Sequence, residues 1–181
     1  RVPVYTELYH EIAVEKARWS MLAAVKPAAV ANEIQAIWQY HVVNKATGET
    51  NRHDTGDGNP GRDFAMCAGD CLSAFAYEYQ RTGNRQWLDR AKLLANYYWQ
   101  KRNTATNLVA NSPRTGTGRF DGSTFDTSVA GLYAGSLLDA YEATDDPLFR
   151  DQAVAYLKAY ARYGYDAAAG KFWGTLNLDG T

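Results

Sequence analysis

Five aspartates stand in or beside glycine-rich loops: Asp54, Asp57, Asp63, Asp121 and Asp126. Hydrolysis of a glycosidic bond needs carboxyl groups in two states. One is protonated and serves the leaving oxygen; the other is ionised and activates water or acts as nucleophile. Asp63 and Asp126 are the catalytic candidates, because each directly precedes a segment that reads as a buried helix. That position is also where an aspartate caps a helix, which contributes about 1 kcal/mol. Capping and catalysis are therefore competing readings at both. Asp54, Asp57 and Asp121 lie next to glycines and suit Asx turns; Asp121 is in addition a substrate-binding candidate.

β-Elimination of a uronate asks for different parts: a base that removes the C5 proton, and cationic or amide groups that neutralise the sugar carboxylate. His53 is the candidate base. Arg62, Arg114 and Arg119, with Arg52, are the candidate cations. Each alone reads as a solvated surface side chain, and only their gathering on common loops gives them weight. Aromatic faces against pyranose rings complete a sugar site, and Trp173, Phe172 and Phe120 fall in the same kind of loop. Trp38, Trp87, Trp99 and most tyrosines instead recur at helical spacing and read as core, as does His41. The spacing Asp54-x-x-Asp57-x-Asn59 is not that of a calcium loop. Cys67 and Cys71, one helical turn apart, read as small buried side chains. Neither a metal nor a cofactor is expected.

Helices must carry these loops. Residues 127–138 contain no charge and read as a helix buried on every side. Asp146-Pro147 then restarts the chain with an N-cap and a first-turn proline. In the helix that follows, Leu148, Phe149, Ala153, Tyr156, Leu157 and Tyr160 share a stripe away from Arg150, Asp151, Lys158 and Arg162. Residues 63–83 and 84–102 repeat the pattern, small-rich helix and then amphipathic helix, with Ala68-Gly69 set against Ala134-Gly135 and Ala91 against Ala153. The period is roughly 60 residues, a hairpin counted with its long loop. At the N-terminus the order reverses: residues 5–25 read as amphipathic, and residues 27–44 as the more apolar helix.

Long polar loops occupy residues 45–62, 103–126 and 167–181, whereas the connections at Gly83 and Asp145 are tight. An up-down helix array then carries all its long loops on one rim, the natural binding surface. The expected fold class is all-α, built of antiparallel α/α hairpins, in a single domain over residues 1–181. Formal charge is −1, from 19 basic and 20 acidic side chains, without a basic run, which argues against nucleic acid as a partner. No apolar run approaches the roughly 20 residues that span a bilayer, so no membrane segment is expected. The chain starts at Arg1 without a signal peptide, as a processed or excised product would, and a periplasmic or secreted location is favoured over a cytoplasmic one.

The stretches DFAMCAGDCLSAFAYEYQRTGNRQWLDRAKLLANYYW and FDTSVAGLYAGSLLDAYEATDDPLFRDQAVAYLKAY resemble helical hairpins of the six-hairpin glycosidase superfamily, the (α/α)6 toroids. The nearest likeness is to unsaturated uronyl hydrolases, with α/α-toroid polysaccharide lyases next, and it covers residues 63–174. The resemblance implies inner helices whose N-termini face a central cleft and hold carboxylates, where Asp63 and Asp126 stand. In uronyl hydrolases one such acid is general acid/base and the other positions substrate. It implies a glycoside hydrolase acting on an oligo- or polysaccharide that can contain uronate. The alternatives are a lyase or a glycan-binding module without activity. Three hairpins stand where a closed ring needs six, so the chain amounts to about half of a toroid: a fragment, an open array, or a half completed by a second chain. An epimerase would want paired histidines in the cleft, which three scattered histidines do not supply.

Overall fold

The computed structural model describes residues 22–50, 64–109 and 124–181, with the backbone alone for 64–67 and 124–130. Contacts divide the chain into two compact units, Arg1–Ala36 and Ile37–Thr181. In the first, residues 22–25 are helical and Lys26 interrupts the helix, as expected for a residue before proline. Pro27 opens α1 (Pro27–Tyr40), on which Val30 and Ile34, one turn apart, are buried.

The larger unit continues α1 through Trp38 to Tyr40 and then departs from expectation. The helix does not reach residue 44: Val42–Asn44 form β1, antiparallel to β2 (Glu49–Thr50). Two adjacent valines favour extended backbone. The Asn44 side-chain oxygen accepts from the Ala46 and Thr47 amides, and Gly48, at φ 85°, closes the turn. Four helices follow: α2 (Phe64–Thr82), α3 (Arg85–Gln100), α4 (Thr127–Thr144) and α5 (Pro147–Gly164). They form two antiparallel hairpins, α2/α3 and α4/α5. The apolar α2 and α4 lie side by side, and each is backed by its amphipathic partner.

Both hairpins turn by the same device. Thr82 and Thr144 each donate from Oγ1 to the carbonyl four residues back, at 2.6 Å. Gly83 and Asp145 adopt positive φ (68° and 55°). Asn84 and Asp146 then cap α3 and α5 by accepting from the Gln86 and Leu148 amides, both at 3.1 Å. Thr82 to Thr144 is a shift of 62 residues, and it holds through the helices: Cys71, Leu72, Phe75 and Glu78 are buried, as are Tyr133, Ala134, Leu137 and Ala140. Ala91 and Ala153 keep the expected correspondence. Gly69 does not, since its counterpart is Gly131, one helical turn before Gly135.

α2 and α4 pack closely because Gly69 has no side chain. A Cβ there would lie 2.7 Å from the Ser136 hydroxyl. Among the described residues nothing covers the equivalent face of α4: Gly131 has none of them within 4 Å of where its Cβ would be, and Leu138, the counterpart of buried Ala76, is 36% exposed. Leu157, expected on the buried stripe of α5, is also exposed. The two hairpins are tied by Lys92 Nζ donating to Asp146 Oδ2 at 2.8 Å and by Gln152 Nε2 donating to Asn96 Oδ1 at 3.3 Å. Cys71 is buried and outside any disulfide among the described residues.

Two predictions follow from this packing. Gly69→Leu overfills the α2/α4 contact and should lower stability by about 2–3 kcal/mol, read from the urea midpoint. Burial raises the Asp146 carboxyl, but the Lys92 ammonium and the Leu148 amide outweigh that and hold it below the usual carboxylate range. Its stabilisation is therefore present above pH about 4 and is lost as pH falls through the lower folded-state value. Asp146→Asn keeps a capping oxygen, so its midpoint should fall less steeply than that of the parent below pH about 4.

Candidate functional site

The tight turns lie at one end of the hairpins, and the described parts of the long loops gather at the other, where α3 and α5 finish and α4 begins. The β1–β2 hairpin reaches this end through Thr50, whose amide and hydroxyl both meet the Tyr98 hydroxyl (3.2 and 2.7 Å). Gly48 lies against the backbone of Leu93 and Leu94, where a Cβ would stand 2.7 Å away. The segment after α3 folds back on itself: Asn103 accepts from the Ala105 and Thr106 amides, and Asn107 turns the chain at φ 61°. Leu108 and Val109 are then buried.

Asp126 ends β3 (Thr124–Asp126), directly before the first residue of α4. This strand pairs antiparallel with β6 (Thr175–Asn177), and Asp126 stands opposite Thr175. β6 is anchored by Leu176, which packs on Leu108 and Ala159, and the Leu178 carbonyl accepts from Thr106 Oγ1 at 2.7 Å. Just before β6 lies a ribbon of β4 (Tyr165–Asp166) and β5 (Lys171–Phe172). Asp166 Oδ1 accepts from the Ala168 and Ala169 amides, both at 3.0 Å, and Gly170 supplies φ 63°.

Phe172 stacks between Tyr160 and Tyr165, at ring-centroid distances of 4.8 and 5.1 Å. Trp173 donates its backbone N–H to the Gly164 carbonyl at 2.8 Å. Its ring is 46% exposed, with Lys171 Nζ 4.8 Å from the ring centroid. Trp173 is two residues from the partner of Asp126, so the two backbones lie within about 13 Å of each other. A candidate acid and a candidate sugar platform thus share one end of α4.

Beneath this end lies an aromatic layer. Tyr133 meets Tyr98 (6.3 Å) and Tyr156 (5.8 Å), and Tyr156 meets Trp99 (5.4 Å). Burial pushes the Tyr133 and Tyr156 phenols up, which favours their neutral forms. Among the described residues no group of three or more His, Cys, Asp or Glu side chains is placed to hold a metal, and no helix is long and apolar enough to cross a membrane.

Of the residues singled out by sequence, Asp126 and Trp173 have their backbones at the same end of α4, through the pairing of Asp126 with Thr175. His53, Arg62, Asp63, Arg114, Arg119 and Asp121 lie outside the described residues, although α2, which Asp63 precedes, starts at the same end as α4. Lys171 and Tyr165 were missed. The signal available for them was the D-x-x-x-G spacing of Asp166 and Gly170, which closes a short ribbon and sets the two residues across from Phe172 and Asp166.

Comparison with solved structures now bears on this arrangement. A glycoside hydrolase of family 105 from C. acetobutylicum superposes with TM-score 0.63 at 11% identity, covering 84% of this chain and 46% of that one. Cellobiose 2-epimerase from Spirochaeta thermophila gives TM-score 0.57 at 15% identity, over 90% of this chain and 42% of that one. D-mannose isomerase gives TM-score 0.51 at 15% identity, over 67% and 31%. The fold is that of the six-hairpin (α/α)6 toroids. The chain is all-α and makes up about half of such a toroid, spanning between 31% and 46% of the length of these structures. Identities this low carry the architecture and not the closer kinship to uronyl hydrolases. No protein-family model matches, and no curated protein does.

The rim makes a prediction about stability. Trp173→Ala removes a half-exposed ring and should change stability by no more than about 0.5 kcal/mol. Leu176→Ala empties the contact with Leu108 and Ala159 and should cost about 2–4 kcal/mol. Urea titration of both variants checks the pair.

Proposed function

We propose that the chain forms part of a carbohydrate-active enzyme whose cleft opens at the loop-bearing end of α2 and α4. The reaction we assign is hydrolysis of a glycosidic bond in an oligo- or polysaccharide, including one that contains uronate. The observation that carries this reading is the approach of Asp126 and Trp173 at the start of α4, through the β3–β6 pairing. Trp173 offers an aromatic face to a pyranose ring, and Lys171 beside it offers a cation to a sugar carboxylate or hydroxyl.

The start of a helix favours an ionised carboxylate by its positive end. Asp126 and Asp63 precede equivalent helix starts, so this effect does not divide the roles between them: one would activate water or position the sugar, and the other would give the proton. His53 with Arg62, Arg114 and Arg119 would serve β-elimination in place of hydrolysis, and Asp121 would bind substrate. The α4 face at Gly131 and Leu138, which no described residue covers, supports a further hairpin packing there, from the same chain or from a second one.

In the protein that contains this chain, Asp126→Asn should reduce release of reducing ends from a uronate-containing oligosaccharide by about 10²–10⁴-fold. Trp173→Ala should act mainly by raising KM. Full activity in Asp126→Asn would contradict the assignment. Ultraviolet absorbance from a new C=C bond would redirect it to a lyase, and isomerised sugar without bond cleavage would redirect it to epimerase chemistry.

A further inference from the structure

A second recess lies between α5 and the turn that follows α3. Its volume is about 480 Å³, and Asn107, Arg150, Asp151, Lys158, Arg162 and Tyr163 are among the residues that line it. The cations Arg150, Lys158 and Arg162 are spaced by multiples of four along α5 and therefore share one side of the helix. The lining carboxylate, Asp151, is held by Arg150 through two donors, at 2.7 and 2.9 Å. Lys158 and Arg162 are exposed, and no ion pair joins either to a described carboxylate. Like charges one turn apart are unfavourable in a free helix, and an anion between them would relieve that repulsion.

The opposite wall is pre-formed. Asn107 sits at φ 61°, its amide N–H bonded to the Asn103 carbonyl at 2.7 Å. Its side-chain oxygen accepts from Arg102 Nε at 2.9 Å, so what Asn107 still offers is its side-chain N–H donors. Tyr163 packs on the cluster of Leu108, Ala159 and Leu176. Its ring passes so close to Gly180 that any Cβ there would strike it. The Arg162 guanidinium lies over the Tyr163 ring at 5.3 Å from its centroid, so the recess joins excess positive charge, the Asn107 donors and one fixed aromatic ring that already carries a cation. Its size is that of sites for drug-sized ligands, roughly 300–1,000 Å³, larger than a lone inorganic anion requires.

We infer that this recess is a second, non-catalytic binding site for a short acidic oligosaccharide, with Lys158 and Arg162 pairing its carboxylates, Asn107 donating to its oxygens and Tyr163 lying against a sugar ring. The inference shares its sugar chemistry with the proposed function but uses none of the groups assigned there, neither Asp126 nor Trp173 nor Lys171.

The test is calorimetric titration of the 181-residue chain with sodium trigalacturonate at low salt, beside maltotriose and sodium sulfate. Trigalacturonate should bind and maltotriose should not. Trigalacturonate can also occupy the rim, so the second site is read at Asn107: the double variant Lys158→Gln/Arg162→Gln should weaken the binding event that shifts the Asn107 side-chain amide at least tenfold, and Trp173→Ala should leave that event within twofold. In parallel, the Asn107 side-chain amide resonance of the unaltered chain should shift with trigalacturonate, a readout that does not depend on how the double variant folds. The inference is overturned by no binding of trigalacturonate, by an unmoved Asn107 amide, or by an Asn107 shift that keeps its affinity in the double variant. It is equally overturned if sulfate binds as well as trigalacturonate, or if binding is lost in Trp173→Ala and kept in the double variant, which would place the acidic sugar at the rim alone.

Discussion

The close contact of α2 with α4 at Gly69 and Ser136 is the constraint on which the arrangement rests. Two apolar helices can run side by side at short range only where one of them lacks a side chain, and Gly69 is that place. Lys92 meets Asp146 and Asn96 meets Gln152, so α3 and α5 run in the same direction and their hairpin partners α2 and α4 start at the same end. The outer helices must then finish there, and every long connection is delivered to that end.

The repeated turn complements this contact. A threonine that closes the inner helix, a residue at positive φ and an Asx cap that opens the outer helix occur twice, 62 residues apart in the numbering. Gly83 adopts positive φ without a steric penalty, whereas Asp145 reaches the same region as one of the few side chains that tolerate it. The connections at this end are short and satisfied by their own hydrogen bonds. The opposite end holds ribbons and exposed aromatic rings, which suit ligands better than they suit stability.

Much of this was legible in the residues. Asp146-Pro147 announces a helix start, and the alternation of small-rich and amphipathic segments announces hairpins, because burial on all sides and burial on one side demand different compositions. The register of the repeat was misread by one turn for a physical reason. α4 contains the pair Ala-Gly twice, Ala130-Gly131 and Ala134-Gly135, so composition alone admits both alignments, and only the turn geometry separates them. The end of α1 was overrun because the extended preference of Val42-Val43 spans only two residues, too short a run to register against the helical pattern before it. The ribbon strands have two or three residues, too few for a period of two to register. Asp126 and Trp173 were visible as residue types, but their proximity depends on β3 finding β6 across about 50 residues of chain, and no local pattern encodes that.

The most direct test of the central claim is a crystal structure of the Asp126→Asn chain with a bound uronate-containing oligosaccharide. A sugar ring stacked on Trp173, with the glycosidic oxygen within reach of residue 126, is the outcome this account requires. A sugar bound at the end that carries Gly83 and Asp145, with the Trp173 ring left bare, would contradict it.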